Sequence, residues 1–387
     1  MRQYLFALLR AAINETMPLV PPADLDWEEL FEVAKRHSVA CTAYYGVEKL
    51  PKDRQPSEEI LGKFKKEMQL VLGRETMQHY EIQNMLDELE KHQIRYVPMK
   101  GWRMKNLYPR PDMRSMCDVD VLVDSDNLSE VKNVLIPIGF QLEEHGANHD
   151  EYLKLPHITT EIHWTLFPEI SPYYEYFLDY MDRVKAVEGS EYHYEMGNED
   201  FYLHLIAHLA KHFAEGGGTG IRSFMDIYIY NKVYRDTLDQ TYLKKELEKL
   251  NLEEFAVIIK ELAFAWFAEG LTLEEREKYP EITEFVLNNG MYGTKEAGVV
   301  SKMGADAQKS KGKYLLQRFF PPLSFLKGQF RVLEKAPWLL PVFWGVRAVR
   351  SVTTHRDRFA AEMKIVKNTD SEAVEKVQQI MRMSGIK

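Results

Sequence analysis

Residues 113–126 read MRSMCDVDVLVDSD. Around two aspartates, Asp118 and Asp120, the run is aliphatic: Val119, Val121, Leu122 and Val123. A short β-branched run bounded by polar turn formers predicts a strand over 117–123. In a strand, residues i and i+2 project to one face, roughly 6.6–6.8 Å apart along the chain. Asp118 and Asp120 therefore share a face, while Val119, Val121 and Val123 turn into a core. Two ionised carboxylates side by side repel unless a cation or hydrogen bonds compensate them.

Outward from this strand, the chain alternates between sheet and helix. Upstream, IRYVPMK (94–100) reads as a strand ending at Gly101, and a short helix follows to Leu107, stopped by Pro109 and Pro111. Downstream, Ser125 or Asp126 caps a helix that runs through Ile138 and is closed by Gly139. FQLEE (140–144), EYLKL (151–155) and ITTEIHWTL (158–166) read as three further strands, the last two forming a hairpin about Pro156 and His157. In the last strand Glu161 and His163 share one face, and Ile162 and Trp164 the other. If this strand lies beside 117–123, Glu161 joins the aspartates. Three carboxylates on neighbouring strands suit a hard divalent cation, Mg²⁺ or Mn²⁺, which selects oxygen ligands. They can hold two such ions about 3.5–4 Å apart.

Helical patterns flank this unit. Asp26 and Glu29 resemble a capping box, and Ser57 opens a long helix to about His92. The expected organisation is a helical region over 1–79, a mixed α/β core over 80–190, a helical substrate- or nucleotide-binding region over 191–290, and a linker with C-terminal helices over 291–387. Within the last, the polar, glycine-bearing stretch 291–314 reads as surface loop.

The bulk properties narrow the function. The 387-residue chain is 45% hydrophobic and carries a net charge of −9, which disfavours a surface that coats long nucleic acid. Two cysteines, Cys41 and Cys117, build neither a disulfide framework nor a four-ligand zinc site, and a cytoplasmic setting is the simplest expectation. The N-terminal MRQYLFALLRAAINE reads as an amphipathic helix rather than a signal peptide. No stretch approaches the roughly 20 apolar residues of a membrane span. APWLLPVFWGVRAVR (336–350) comes nearest; it reads as a packed helix in preference to a membrane-surface element. The basic RAVRSVTTHRDR (347–358) reads as a solvated helix face.

MKGWRMKNLYPRPDMRSMCDVDVLV, then TEIHW, then HLAKHF and IRSFMDIYIY, together resemble an uncharacterised bacterial nucleotidyltransferase family of the DNA polymerase β-like superfamily. That superfamily carries a glycine-containing turn, an acidic-x-acidic pair on the next strand, and a third acidic residue on a later strand. Gly101, Asp118 with Asp120, and Glu161 match these in order, over roughly residues 80–230. The resemblance implies an α+β fold, with a nucleotidyltransferase-like mixed sheet flanked by helical regions. It implies an NTP substrate, Mg²⁺ or Mn²⁺ at Asp118, Asp120 and Glu161, and a small-molecule or peptide acceptor. Where the superfamily has Gly-Ser or Gly-Gly, this chain has Lys100-Gly101-Trp102, the narrower family's form, and the interval to Asp118 is long. Lys100 and Arg114 then become phosphate contacts, and His163, at the nucleotide, either orients Glu161 or serves as a base for the incoming hydroxyl; the alternative for His163 is a plain hydrogen-bonded histidine beside Trp164. His208 and His212 lie on a helix that abuts the site in the family.

Some features stand apart. His204, His208 and His212, spaced by four, lack the further ligands of a zinc site. EGGGTG (215–220) lacks the Gly-Lys-Ser/Thr ending of a P-loop and reads as a connection between helices. Arg222 and Asp226 are spaced to pair at i,i+4 or to face the cleft. Two rival readings remain: an Asp-x-Asp glycosyltransferase using a sugar nucleotide, and a non-catalytic nucleotide-binding scaffold.

Overall fold

The strand over the two aspartates forms as Asp118–Val123 and lies second in a five-stranded sheet. The structure is a computed structural model that describes residues 2–386 except 157, 216–218, 291–294, 305–310, 328, 331, 354–355 and 370. The expected turn at His157, the glycine triplet of 215–220 and parts of 291–314 thus lie outside the described residues.

Before the sheet come α1 (Arg2–Ile13), α2 (Trp27–Arg36), α3 (Ala40–Glu48) and α4 (Glu58–Lys91). Asp26 accepts from the Glu29 amide and Ser57 from the Ile60 amide, so both N-termini are capped where the sequence placed caps. Helix α1 is not amphipathic. Leu5, Leu8, Leu9, Ala11, Ala12 and even Arg10 are buried, because α3 and a helix from beyond residue 250 cover its remaining faces. Arg10 survives there by donating from Nη1 to the Trp266 carbonyl at 3.0 Å.

The sheet consists of β1 (Tyr96–Pro98), β2 (Asp118–Val123), β3 (Gln141–His145), β4 (His149–Lys154) and β5 (Ile158–His163), in the order β1-β2-β5-β4-β3. β2 and β5 run parallel; the other neighbours are antiparallel. β1 is shorter than expected, because the chain turns at Met99 and α5 (Lys100–Lys105) begins at Lys100. After β2 a 3₁₀ turn at Ser125–Asn127 precedes α6 (Leu128–Leu135), with no side-chain cap from Ser125 or Asp126. Gly139 adopts φ +99°, as a helix-closing glycine does. Val119, Val121, Val123, Ile158 and Ile162 form one sheet face and pack on Ile82, Met85, Leu86 and Leu89 of α4 and Val131, Val134 and Leu135 of α6.

After the sheet come α7 (Tyr174–Phe177) and the ribbon β6 (Lys185–Ala186) with β7 (Tyr194–Glu195). Then α8 (Asn198–Glu215), α9 (Ile221–Val233), α10 (Gln240–Lys249) and α11 (Glu253–Phe267) share one apolar core with α1–α3. α12 (Leu273–Arg276) and α13 (Pro280–Asn289) follow. The C-terminal part holds α14 (Lys295–Gly304), α15 (Lys311–Phe319), α16 (Leu323–Lys327), α17 (Val332–Lys335), α18 (Leu340–Thr353), α19 (Arg356–Asn368) and α20 (Ser371–Met383). α14 lies inside the stretch expected as loop. Its Met303 joins Tyr314 and Val366 in a small separate core, which gives a glycine-bearing helix a face to bury.

Candidate active site

Register assembles the site. In the β2–β5 pair Asp118 stands opposite Thr159, Asp120 opposite Glu161 and Leu122 opposite His163. In the β4–β5 pair Glu151 stands opposite Glu161 and His149 opposite His163. Residues directly opposite share a face, and alternate residues along each strand share it too. One sheet face therefore carries Asp118, Asp120, Glu161, Glu151, His149 and His163 in adjoining rows. Its other face is the apolar layer on α4 and α6.

Helices α5 and α8 meet this polar face. Lys100, the first residue of α5, places Nζ 3.0 Å from Asp120 Oδ2 and 2.8 Å from His208 Nε2 of α8. His212 Nε2, at the exposed end of the helix, lies 3.1 Å from His208 Nε2. His163 Nε2 lies 3.1 Å from Glu161 Oε2 and 3.4 Å from Asp120 Oδ1. Asn148 steadies the far side of that ring: its Nδ2 is 3.2 Å from His163 Nδ1 and donates to the Thr165 carbonyl at 2.9 Å.

The charges divide the carboxylates. Burial, with the neighbouring Asp120 charge, pushes Asp118 up to about 6. Burial also works to raise Asp120, but the Lys100 charge and the His163 hydrogen bond outweigh it and hold Asp120 well below the usual carboxylate range. Glu161 follows Asp120, burial being overcome chiefly by the bond from His163. His163 in turn is raised: burial lowers it, but its bonds to Asp120 and Glu161 prevail. His208 is pulled well below its ordinary value by burial and the Lys100 charge, so it faces Lys100 as a neutral acceptor.

Gly101 lies in close approach: a β-carbon there would lie 2.9 Å from Met116 Sδ and 3.3 Å from Arg114 Nη1, so a larger residue would oblige the Met116 side chain to shift at the entry to β2. The remaining sequence candidates arrange themselves differently from the expected i,i+4 pairing. Asp226 does not pair with Arg222. It accepts from Arg114 Nε at 2.9 Å, Arg114 Nη2 at 2.8 Å and the Tyr108 hydroxyl at 2.7 Å, all buried. Arg114, expected as a phosphate contact, has its guanidinium fork committed to this bidentate pair beneath the site. Arg222 donates instead to the Ser115 carbonyl, and its charge acts on Asp118.

The sequence reading missed His149 and Lys211. His149 Nε2 is 3.7 Å from Glu161 Oε2, its ring centroid is 4.8 Å from that of His163, and its Nδ1 is buried without a partner. One ligand atom each from His149, Glu161 and His163 lie within 4.8 Å of one another, a spacing able to hold a metal ion. The signal is present in the sequence, since His149-x-Glu151 mirrors Glu161-x-His163; the strand expected from Glu151 starts two residues earlier, at His149. Lys211 adds positive charge beside His208, His204 and His149.

Against known proteins, the family model described as "Uncharacterised nucleotidyltransferase" matches residues 23–268, which span the sheet, α8 and α9. No curated protein and no solved structure matches the chain.

Proposed function

The chain belongs to the uncharacterised nucleotidyltransferase family, and from that membership we propose that it transfers a nucleoside monophosphate from an NTP to a hydroxyl or phosphate acceptor. The acceptor is a small molecule or a peptide or protein side chain, and pyrophosphate is released. One observation carries this reading: Asp118 and Asp120 project from β2, and Glu161 stands opposite Asp120 on β5.

These residues suit Mg²⁺ or Mn²⁺. Register puts their oxygens on one face, and Asp118 is a carboxylate whose charge burial and Asp120 oppose; the ligand atoms already within 4.8 Å of one another are those of His149, Glu161 and His163, which share Glu161 with this set. Asp118, Asp120 and Glu161 would hold the ions; when bound, they neutralise triphosphate charge and activate the attacking oxygen. Lys100 and Arg222 supply fixed positive charge beside the carboxylates for the phosphates. His163 bridges Asp120 and Glu161 and sets their orientation. The acceptor oxygen bonds to the α-phosphorus, the α–β bridging bond breaks, and pyrophosphate departs with the electron pair. The acceptor's proton passes to the carboxylate face.

The test uses purified protein, each of the four NTPs labelled at the α-phosphate, and Mg²⁺ or Mn²⁺. A low-molecular-mass extract and the protein itself serve as acceptors. Label transfer with equimolar pyrophosphate is expected, falling about 10²–10³-fold in Asp118→Asn and Glu161→Gln. Full transfer by Asp118→Asn refutes the assignment. Release of a nucleoside diphosphate from a sugar nucleotide, with no pyrophosphate from any NTP, selects the glycosyltransferase reading instead.

A further inference from the structure

The segment 311–353 contrasts with the rest of the chain. It contains eight Lys or Arg and one Glu, a net of +7 within a protein of net −9. It also bears exposed apolar side chains that a water-facing helix does not carry. Along α18 and the turn before it, Trp338 is 74% exposed, Val342 58%, Val346 38% and Val349 61%. Their spacing of four, four and three places them on one helical stripe. Pro341, Gly345 and Ala348 are exposed beside them, so the outward surface from 341 to 349 holds no charged residue.

The opposite side of α18 is fully engaged. Phe343 packs at a tilt on Phe330, Trp344 donates to the Pro321 carbonyl at 2.9 Å and meets Phe320, and Arg347 lies over Phe325 while donating to the Arg318 carbonyl. The helix is thus anchored inward by aromatic residues and presents its bare apolar side outward. Phe319, Phe320, Leu316 and Val332 add exposed apolar area in the same segment.

We propose that this surface docks on the headgroup layer of an anionic lipid bilayer. An apolar stripe with the exposed cations Lys335 and Arg350 in the same segment, and a tryptophan at its edge, has the chemistry of an in-plane membrane contact. α18 has 14 residues, and among the described residues no helix is long and apolar enough to cross a membrane, so the element lies on the bilayer. A second copy of the chain is the poorer occupant, since a two-fold contact would oppose two segments of net +7. Nucleic acid would leave the valine stripe uncovered. The inference is independent of the nucleotidyl-transfer reading.

Vesicle flotation of the full-length protein tests it, with phosphatidylcholine vesicles and with vesicles of phosphatidylcholine and phosphatidylglycerol at seven to three. At 50 mM salt the protein is expected to float with the anionic vesicles at least tenfold more than with the neutral ones. Salt at 0.5 M should release most of it. The triple substitution Trp338→Ser, Val342→Glu, Val349→Glu changes only exposed side chains; it should retain the thermal transition and lose flotation at least tenfold. A second variant, Lys327→Gln, Lys335→Gln, Arg350→Gln, should lose the preference for anionic vesicles. Absence of flotation at 50 mM salt overturns the proposal, as does flotation undiminished in both variants. Concentration-dependent dimerisation abolished by the triple substitution also overturns it, in favour of a second copy.

Discussion

Arg114 shows what a single residue's sequence position conceals. Four residues before Asp118, it reads as a hand for phosphate, yet its partner Asp226 lies 112 residues away and no local pattern announces the pair. Removing one member of a buried ion pair strands the other, at about 3–5 kcal/mol. Arg114→Leu is therefore expected to lose about that much stability by urea unfolding, and Arg114→Leu with Asp226→Leu much less than the sum of the two single changes. Lost activity with unchanged stability would instead return Arg114 to the phosphates. His204 gives a pH signature. Burial holds it down at about 3, against an ordinary value of 6.5. Above 6.5 it is neutral in both states and costs nothing. As pH falls below 6.5 the unfolded chain takes up a proton that the folded ring refuses, so stability declines by up to about 1.4 kcal/mol per pH unit until about pH 3. Asp118, raised to about 6, acts in the opposite sense below that pH. The comparison with His204→Phe isolates the histidine: its stability profile between pH 6.5 and 4.5 should be flatter than that of the native chain.

Among elements, the strands were the most legible, because period-two alternation is a local property. β2 and β5 stood where the aspartates and Glu161-x-His163 indicated, and that alternation already implied the shared face. Helices whose environment comes from distant chain were not legible: α1 reads as amphipathic because its covering helix α11 lies some 250 residues on, as the Arg10–Trp266 contact shows. α14 hid behind its lysines and glycines, since its burial depends on Tyr314 and Val366. The contact of α1 with α3 yields a sharp prediction. A β-carbon on Gly46 would lie 2.3 Å from the Leu8 carbonyl oxygen, and a backbone atom cannot step aside as a side-chain tip can. In an unconstrained helix interior, Gly→Ala stabilises by about 1 kcal/mol. Here Gly46→Ala is expected to destabilise by about 3 kcal/mol, read as a lowered thermal midpoint. A raised midpoint would show that the two helices are not held at this separation.

For the whole molecule, ligand linkage connects the carboxylate face to stability. An ion at a hundred times its Kd contributes about 2.7 kcal/mol, a rise of roughly 3 °C or more for a chain of this size. Mn²⁺ at 1 mM is expected to raise the midpoint by that amount over EDTA and to leave Asp118→Asn unmoved; an equal rise in the variant would locate the ion elsewhere. The order of the strands carries one more consequence. β2 and β5 are neighbours in space, but α6, β3 and β4 intervene along the chain. Asp120 and Glu161 confront each other only when the excursion between them has folded back and the parallel seam has shut, a non-local and intrinsically slow event. The imidazole of His163, which joins the two carboxylates, reaches both only once that seam exists.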